Sequence, residues 1–318
     1  MEMRKSILTL GLLISLMLIG PINSLASEDL SEGAEKVLNG HTFMPSKYIV
    51  DPFVGTSYSS FLGAASAVSL SRDVFDLNGD LLTTLEGSVV YATLGMEFQQ
   101  KIGQKWAVGF GGSALVRSGT SALSFINDGA SVNQNMAAWV KRVIQRSEKS
   151  QFTGGLTWKY STATLFTPKA FAEHIIDGGS LLDAPIMSDN KIWSLQADFL
   201  WAHAFNPTFG MRASGNFGVQ EALDASGVVV GRNRVGLIGE VDFKDKHDWP
   251  IGLSLGFFTG FPSDLFEAGL QGTVLGIWYT AKQDFLVGLE TGVLQVPRDD
   301  GQEAIDGAFG SFNIKYFF

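Results

Sequence analysis

Ten charged side chains stand singly on the polar face of segments whose residues alternate between apolar and polar types. Five are acidic and five are basic: Glu97, Asp198, Glu240, Asp242, Glu290, Arg117, Lys159, Arg212, Arg234 and Lys315. Opposed charges on facing walls can pair with one another, or they can line a narrow polar conduit and shape what passes through it. Both interpretations stay open here, and the even balance predicts no strong preference for cations or anions.

A second group of residues has the types needed for acid–base chemistry. Glu173, His174 and Asp177 fall close together in a loop, where they could bind a metal or move a proton. Of the four histidines, only His203 lies near a strand-like segment, and Ser194 and Ser214 fall on the opposite face from it. Loop carboxylates beside a single histidine are common in solvated loops, so we predict no catalytic residues, no metal site and no cofactor.

Composition narrows the class of protein. Charged residues make up only 17% of the chain, whereas glycine reaches 37 and phenylalanine 24 of 318 residues. The net charge of −9 argues against a general nucleic-acid-binding protein. The chain has no cysteine, which excludes disulfides, cysteine-ligated zinc and thiol nucleophiles.

Strict alternation is the main structural signal in the chain. Strand-like segments are counted at 53–70, 90–98, 106–117, 120–127, 152–166, 193–201, 209–217, 235–243, 249–259, 270–279, 285–294 and the C-terminal stretch. Their apolar face is aromatic and aliphatic, while the other face holds glycine, serine, threonine, asparagine and the single charges. A soluble sandwich would instead show lysine and glutamate on its exposed face.

These segments are about ten residues long, the length of a tilted strand that crosses a membrane. Backbone groups in lipid must all be paired, so such a sheet must close on itself. The sequence therefore predicts an all-β fold, a closed antiparallel transmembrane β-barrel of about 12 strands, within a range of about 10–14.

Connections between the segments alternate in length, as they do in outer-membrane barrels. Short ones fall at 99–105, 206–208, 244–248 and 280–284, and longer ones include 168–190, 221–232 and 295–307. The stretch 133–148 does not fit this pattern. Met136, Trp139, Val140, Val143 and Ile144 share one helical face, so we predict one short amphipathic helix there, in a connection, either capping the barrel or lying on lipid headgroups.

The N-terminus has the features of a targeting segment. Arg4 and Lys5 precede the apolar run 7–19, which is shorter than the ~20 residues needed to span a membrane. Small residues at 24–26 then offer a cleavage site. We predict a cleaved signal peptide at 1–26, a periplasmic N-terminal extension at 27–50 that is too short to fill a lumen, and the transmembrane β-barrel at 51–318.

The last strand carries a family resemblance. Phe312, Ile314, Tyr316 and Phe318 alternate with Asn313 and Lys315, and the chain ends on the final aromatic residue. With its signal segment and lack of cysteine, the sequence resembles the bacterial outer-membrane β-barrel proteins over 51–318. The resemblance implies that Phe312, Ile314, Tyr316 and Phe318 form the assembly signal recognised by the barrel-insertion machinery.

These observations lead to a functional expectation. We expect a protein of the bacterial outer membrane, in contact with its lipids and lipopolysaccharide, that lets small solutes pass passively through a narrow polar lumen. The ten charged residues are the pore-lining candidates, and the solute remains open. One alternative is a structural or surface-interaction barrel with a closed lumen, and a less favoured one is a lipid- or peptide-modifying enzyme; we expect that the protein is not an enzyme.

Overall fold

The alternating segments form long strands because β-branched, aromatic and small residues follow one another at a period of two. The computed structural model describes residues 36–75, 81–120, 125, 129–178, 180, 187–222, 229–262, 270–296 and 305–318. A two-residue hairpin strand pair comes first, β1 (Val37–Leu38) and β2 (His41–Thr42). Twelve longer strands follow it.

The longer strands are β3 (Ser57–Phe75), β4 (Leu81–Ile102), β5 (Trp106–Gly119), β6 (Ala130–Arg146), β7 (Ser150–Phe166), β8 (Met187–Ala204), β9 (Phe209–Ala222), β10 (Val229–Asp242), β11 (Ile251–Pro262), β12 (Gln271–Tyr279), β13 (Phe285–Val296) and β14 (Ile305–Phe317). Each pairs antiparallel with the next along the chain. The sheet closes where β14 pairs with β3, from Gly307 opposite Ala67 to Phe317 opposite Ser57. The prediction of a closed antiparallel barrel of about 12 strands is confirmed.

The outer surface of the barrel is apolar. Leu62, Leu94, Phe110, Leu255 and Leu289 are between 57% and 63% exposed although they lie in the middle of strands. A continuous exposed surface of this kind is too apolar for water and suits the hydrocarbon core of a bilayer.

Among the described residues, no helix is long and apolar enough to cross a membrane.

Connections at one end of the barrel are short. β4 and β5 are joined through residues 103–105, β6 and β7 through 147–149, and β8 and β9 through 205–208. In outer-membrane barrels the short turns face the periplasm, so this end, which also holds Phe318, is the periplasmic one.

The predicted helix at 133–148 is wrong, since these residues form most of β6. Trp139 and Val143 face the lumen and pack there, which gives β6 apolar residues on both faces and imitates a helical stripe. A short helix in a connection does exist, at α1 (Pro168–Ile176), and a single turn, α2 (Lys244–His247), joins β10 to β11. The strand expected at 120–127 lies almost entirely outside the described residues.

Candidate functional site: the barrel lumen

Residues 36–56, which directly precede β3, lie inside the barrel. We call Lys36–Thr56 the N-terminal segment. Its side chains Phe43, Met44, Ile49, Phe53 and Val54 are at most 3% exposed, which is possible only because the barrel wall surrounds them. The sequence predicted a periplasmic extension at residues 27–50. The described part of this stretch, residues 36–50, lies inside the lumen instead.

The β1–β2 hairpin holds the start of the segment at the periplasmic end. Asn39 N donates to Glu148 O at 2.8 Å, and His41 Nδ1 lies 3.1 Å from Pro207 O. Phe43 and Phe53 pack with Ala202 and Ala204 at the end of β8. These contacts fix the hairpin to two of the short turns.

A buried ion pair on the wall binds the backbone of the segment. Arg212 Nε on β9 donates to Glu240 Oε1 on β10 at 2.6 Å, and both side chains are fully buried. Met44 N donates to Glu240 Oε2 at 2.8 Å, while Arg212 Nη2 donates to Met44 O. The ion pair therefore satisfies the backbone N–H and C=O of Met44. Met44 in turn supplies hydrogen-bond partners that the buried pair would otherwise lack.

Glycines on the wall make room for the segment beside this pair. A Cβ on Gly252 would lie 2.1 Å from Met44 Cε, and one on Gly210 would lie 2.3 Å from His41 Cδ2. Both distances are shorter than atoms tolerate, so the close approach depends on the missing side chains.

The opposite part of the wall binds the end of the segment. Lys315 Nζ on β14 forms an ion pair with Asp51 Oδ2 at 2.7 Å, and Lys141 Nζ on β6 donates to Asp51 O at 2.8 Å. Thr153 Oγ1 on β7 donates to Pro52 O at 2.7 Å, and Gln99 Nε2 on β4 donates to Gly55 O at 2.8 Å.

The middle of the segment is held between aromatic rings. Tyr48 stacks on Phe258 with centroids 5.4 Å apart and contacts Phe309 at 4.4 Å. Arg234 Nη2 donates to Tyr48 O at 2.7 Å, and Glu290 Oε2 accepts from Lys47 N at 3.2 Å. Since β4, β6, β7, β9, β10, β13 and β14 all contribute, the segment crosses the lumen from wall to wall.

A cavity of about 250 Å³ remains beside the segment. One side is formed by residues 45–51, and the other by inward side chains of the barrel that include Glu97, Lys159 and Asp198. Glu97 and Lys159 are exposed to solvent within it. The lumen thus has two regions, a filled one around Met44 and a solvent-accessible one at the cavity around Glu97 and Lys159.

All ten predicted pore-lining residues lie on the inward face by strand register. The structure brings Arg212 and Glu240 together as a pair. Glu97, Lys159, Asp198, Arg234 and Lys315 line the cavity.

The three remaining members of the ten have other surroundings. Asp242 accepts from Thr280 Oγ1 at 2.9 Å near the periplasmic turns, and Glu290 accepts from Lys47 N and from Asn313. Arg117 faces inward between Tyr91 and Ser131. Whether these residues line a pore stays a prediction.

Cavity residues that the sequence reasoning missed are Lys47, Asp51, Trp139, Lys141 and Arg232. Lys47 lies in the predicted extension at 27–50 and Asp51 at the start of the predicted barrel, whereas Trp139 and Lys141 lie in the strand interpreted as a helix. Arg232 fell in a long connection by sequence, although it shares the inward phase of Arg234.

The proposed assembly-signal residues lie on the outward face of β14 and at its end. Phe312, Tyr316 and Phe318 are 40–44% exposed to the outside, and Ile314 shares their phase. Tyr316 and Phe318 rings are 5.1 Å apart, so the end of the chain presents an aromatic patch to lipid at the periplasmic edge.

The catalytic alternative has one contact that the sequence reasoning missed. Ser150 Oγ lies 2.5 Å from His203 Nδ1 on the outward face, whereas Ser194 and Ser214 point inward. The His203 ring packs between Trp201 and Phe205, and no group of three or more histidines and carboxylates that could hold a metal occurs in the described part of the chain. The side chain of Glu173 lies outside that part.

Comparison with known proteins supports the architecture. No family model matches the sequence, and no curated protein matches it at a significant level. The fold is similar to the COG4313 outer membrane channel from Pseudomonas putida F1, with a TM-score of 0.53 and 10% identity over 87% of this chain and 100% of that one.

Two further solved structures are less similar. The translocator domain of autotransporter NalP from Neisseria meningitidis gives a TM-score of 0.49 at 9% identity, over 84% of this chain and 90% of that one. The toluene transporter TodX from Pseudomonas putida gives 0.40 at 10% identity, over 82% and 89%. At these identities the likeness concerns the fold alone. With its closed 12-strand wall and apolar outer surface, the chain has the fold of the bacterial outer-membrane β-barrels, and its place is in that membrane.

Proposed function

We propose that the protein is a channel for small polar solutes whose lumen is closed by the N-terminal segment. The supporting observation is the cavity beside the segment, where charged inward side chains remain in contact with solvent instead of being packed. A barrel of this strand number is wider than the eight-stranded type that side chains alone can fill. The segment occupies the extra width without filling all of it.

The segment is held by contacts that water can replace. Apart from the Asp51–Lys315 ion pair, many of its polar attachments are hydrogen bonds between wall side chains and backbone atoms of the segment. Each such bond contributes only about 1–3 kcal/mol net, because the open state exchanges it for bonds to water. Release of the segment therefore needs no covalent change and leaves a hydrated polar lumen.

Planar-bilayer recording tests this proposal. We expect the purified protein to show small or rare current steps, and a variant that lacks residues 36–55 to show larger and more frequent ones. Folding of both proteins is checked by heat-modifiable migration on gels. If the folded deletion variant carries no current at any voltage, the channel proposal is wrong.

A reversible disulfide between the segment and the barrel wall, which we call the lock, distinguishes movement of the segment from a general disruption of the barrel. Ile49 Cγ1 lies 3.0 Å from the position that a Cβ on Gly236 would take, which is compatible with a disulfide. Because the chain has no cysteine, Ile49→Cys with Gly236→Cys forms a single defined pair. We expect the oxidised protein to remain closed and dithiothreitol to restore current; each single variant is the control.

A barrel with a permanently closed lumen is the second candidate, and the density of contacts around Met44 favours it. It predicts that the oxidised lock, its reduced form and the unmodified protein are equally silent, and that only the deletion variant conducts. The two candidates therefore differ in the reduced lock.

We also propose that the outward residues of β14 act as the assembly signal, and that lipids and lipopolysaccharide contact the apolar surface. The exposed aromatic patch at Tyr316 and Phe318 supports this role. Deletion of Phe318 should reduce the heat-modifiable form in outer membranes while the purified chain still folds in detergent. Normal amounts of the folded form in cells would contradict it.

A further inference from the structure

Cationic side chains outnumber carboxylates around the cavity. Six basic residues line it: Lys47, Lys141, Lys159, Arg232, Arg234 and Lys315. Three acidic residues do so: Asp51, Glu97 and Asp198. The even balance among the ten predicted residues does not hold here, because Glu240, Glu290 and Asp242 make their contacts outside the cavity, with the N-terminal segment and the wall.

Two of the three carboxylates of the cavity already have partners in the protein. Asp51 is paired with Lys315 at 2.7 Å. Asp198 accepts hydrogen bonds from Thr157 and Asn216 on the neighbouring strands. Even when Glu290, which accepts from Lys47 N, is counted with them, the basic groups remain in excess.

Three of the cations share one part of the wall. Lys159 lies on β7 opposite Ser194, and Arg232 and Arg234 lie on β10 opposite Gly218 and Asn216 of β9. All three side chains line the same cavity. Like charges held near one another repel, and a bound anion relieves that repulsion.

Their donors are only partly used. Arg234 gives one Nη2 bond to Tyr48 O and packs on the Phe258 ring, and Arg232 Nη1 donates to Gln220. A guanidinium has five N–H donors, so each keeps donors for a ligand. Lys159 is exposed and makes no hydrogen bond or ion pair within the described part of the chain.

We propose that Lys159, Arg232 and Arg234 form a binding site for an oxyanion, the carboxylate or phosphate of a small solute. Guanidinium groups suit such anions because their paired donors match the two oxygens. The site lies beside the segment that closes the lumen, so the bound anion occupies the route of a permeating solute. This last point depends on the proposed channel function, whereas binding itself does not.

Calorimetry on the purified protein in neutral detergent tests binding without requiring current. Inorganic phosphate and succinate are the probes, and glucose is the uncharged control. We expect both anions to bind and their affinity to fall as added salt screens the site. Glucose should give no heat of binding. Arg232→Gln with Arg234→Gln should weaken phosphate binding about tenfold or more. Arg142→Gln, on the outward face of β6, is the matched control and should leave it unchanged.

Lys159→Gln guards against a folding defect in the double variant, because Lys159 is exposed. It should also weaken phosphate binding, by a smaller factor. Equal affinity in all variants, or equal heats for phosphate and glucose, would overturn the proposal.

Reversal potentials in a salt gradient separate this inference from the channel proposal. We expect the variant lacking residues 36–55 to favour chloride over potassium, and Arg232→Gln with Arg234→Gln in that background to lose the preference. Current without anion preference or phosphate binding would reject the site and retain the channel. Phosphate binding in a protein that never conducts would retain the site and reject the channel.

Discussion

The two regions of the lumen contain the same residue types and differ in what those residues meet. Around Met44, Arg212 and Glu240 are fully buried and bind each other and the segment backbone. In the cavity, Lys159 is exposed and makes no hydrogen bond or ion pair within the described residues, although charges of both signs line the same cavity. Inward charges serve structure where the segment supplies partners, and they stay available for a ligand where it does not.

Removing one partner of the buried pair should have the largest effect on this contrast. Arg212→Leu leaves Glu240 buried without its cation, which costs on the order of 3–5 kcal/mol. Urea unfolding of the barrel in phospholipid vesicles measures this loss. Lys159→Gln is the matched change in the other region and should alter the free energy of unfolding by less than about 0.5 kcal/mol. Similar losses for both would erase the distinction between the regions.

Filling the space occupied by Met44 is the next strongest change. Gly252→Val would force Met44 out of its position and should cost about 1–3 kcal/mol through overpacking. It should also raise the frequency of current steps, because the segment loses one of its sites. Gly239→Val is the control, since a Cβ there meets nothing within 4 Å. Unchanged currents with intact stability would mean that the segment does not depend on this contact.

The Asp51–Lys315 ion pair should have an intermediate effect, because it lies at the border of the two regions. Its side chains are 15% and 14% exposed, so Lys315→Gln should cost about 1 kcal/mol, near the upper end for exposed pairs. We expect more frequent opening in bilayer recordings at low salt and a smaller difference at high salt. The same difference at both salt concentrations would exclude an electrostatic cause.

The smallest change in stability is expected at Glu97, within the cavity. Glu97→Gln should leave the free energy of unfolding within about 0.5 kcal/mol of the original. It should nevertheless increase the preference for anions, because one of the few carboxylates of the cavity is lost. A reduced preference, measured as a shift of the reversal potential toward that of potassium, would contradict the charge count of the cavity.

The barrel could be predicted from the sequence because lipid outside and water inside impose a period of two. The inward phase of all ten charged residues follows from the same constraint. Prediction failed where apolar side chains also face the lumen. On β6, Trp139 lines the cavity and Val143 packs with Val54 and Ala107, so the strand has apolar residues on both faces and was mistaken for a helix.

The N-terminal segment could not be placed from periodicity, because it has no regular structure beyond its short hairpin. Two clues were available in its composition. Phe43, Met44, Ile49 and Phe53 are too apolar for a solvated extension, and Pro45 and Pro52 exclude a continuous strand. The barrel wall offered a corresponding clue. Apolar residues at inward-facing positions, such as Trp278 and Phe309, indicate that another part of the chain packs against them.

The position of the segment in the chain constrains how the protein is made. The segment ends at Thr56, directly before β3, and Thr56 O accepts from the N of Phe318, the residue after β14. The segment is therefore attached to the barrel where the first and last strands pair. Either the strands assemble around the segment, or the segment enters the lumen through an open end after the barrel has closed. In the first case the segment would act as a template around which the barrel strands assemble. On that basis we expect the variant lacking residues 36–55 to reach its heat-modifiable form more slowly, and an equal rate would show that the lumen is filled after the seam has closed.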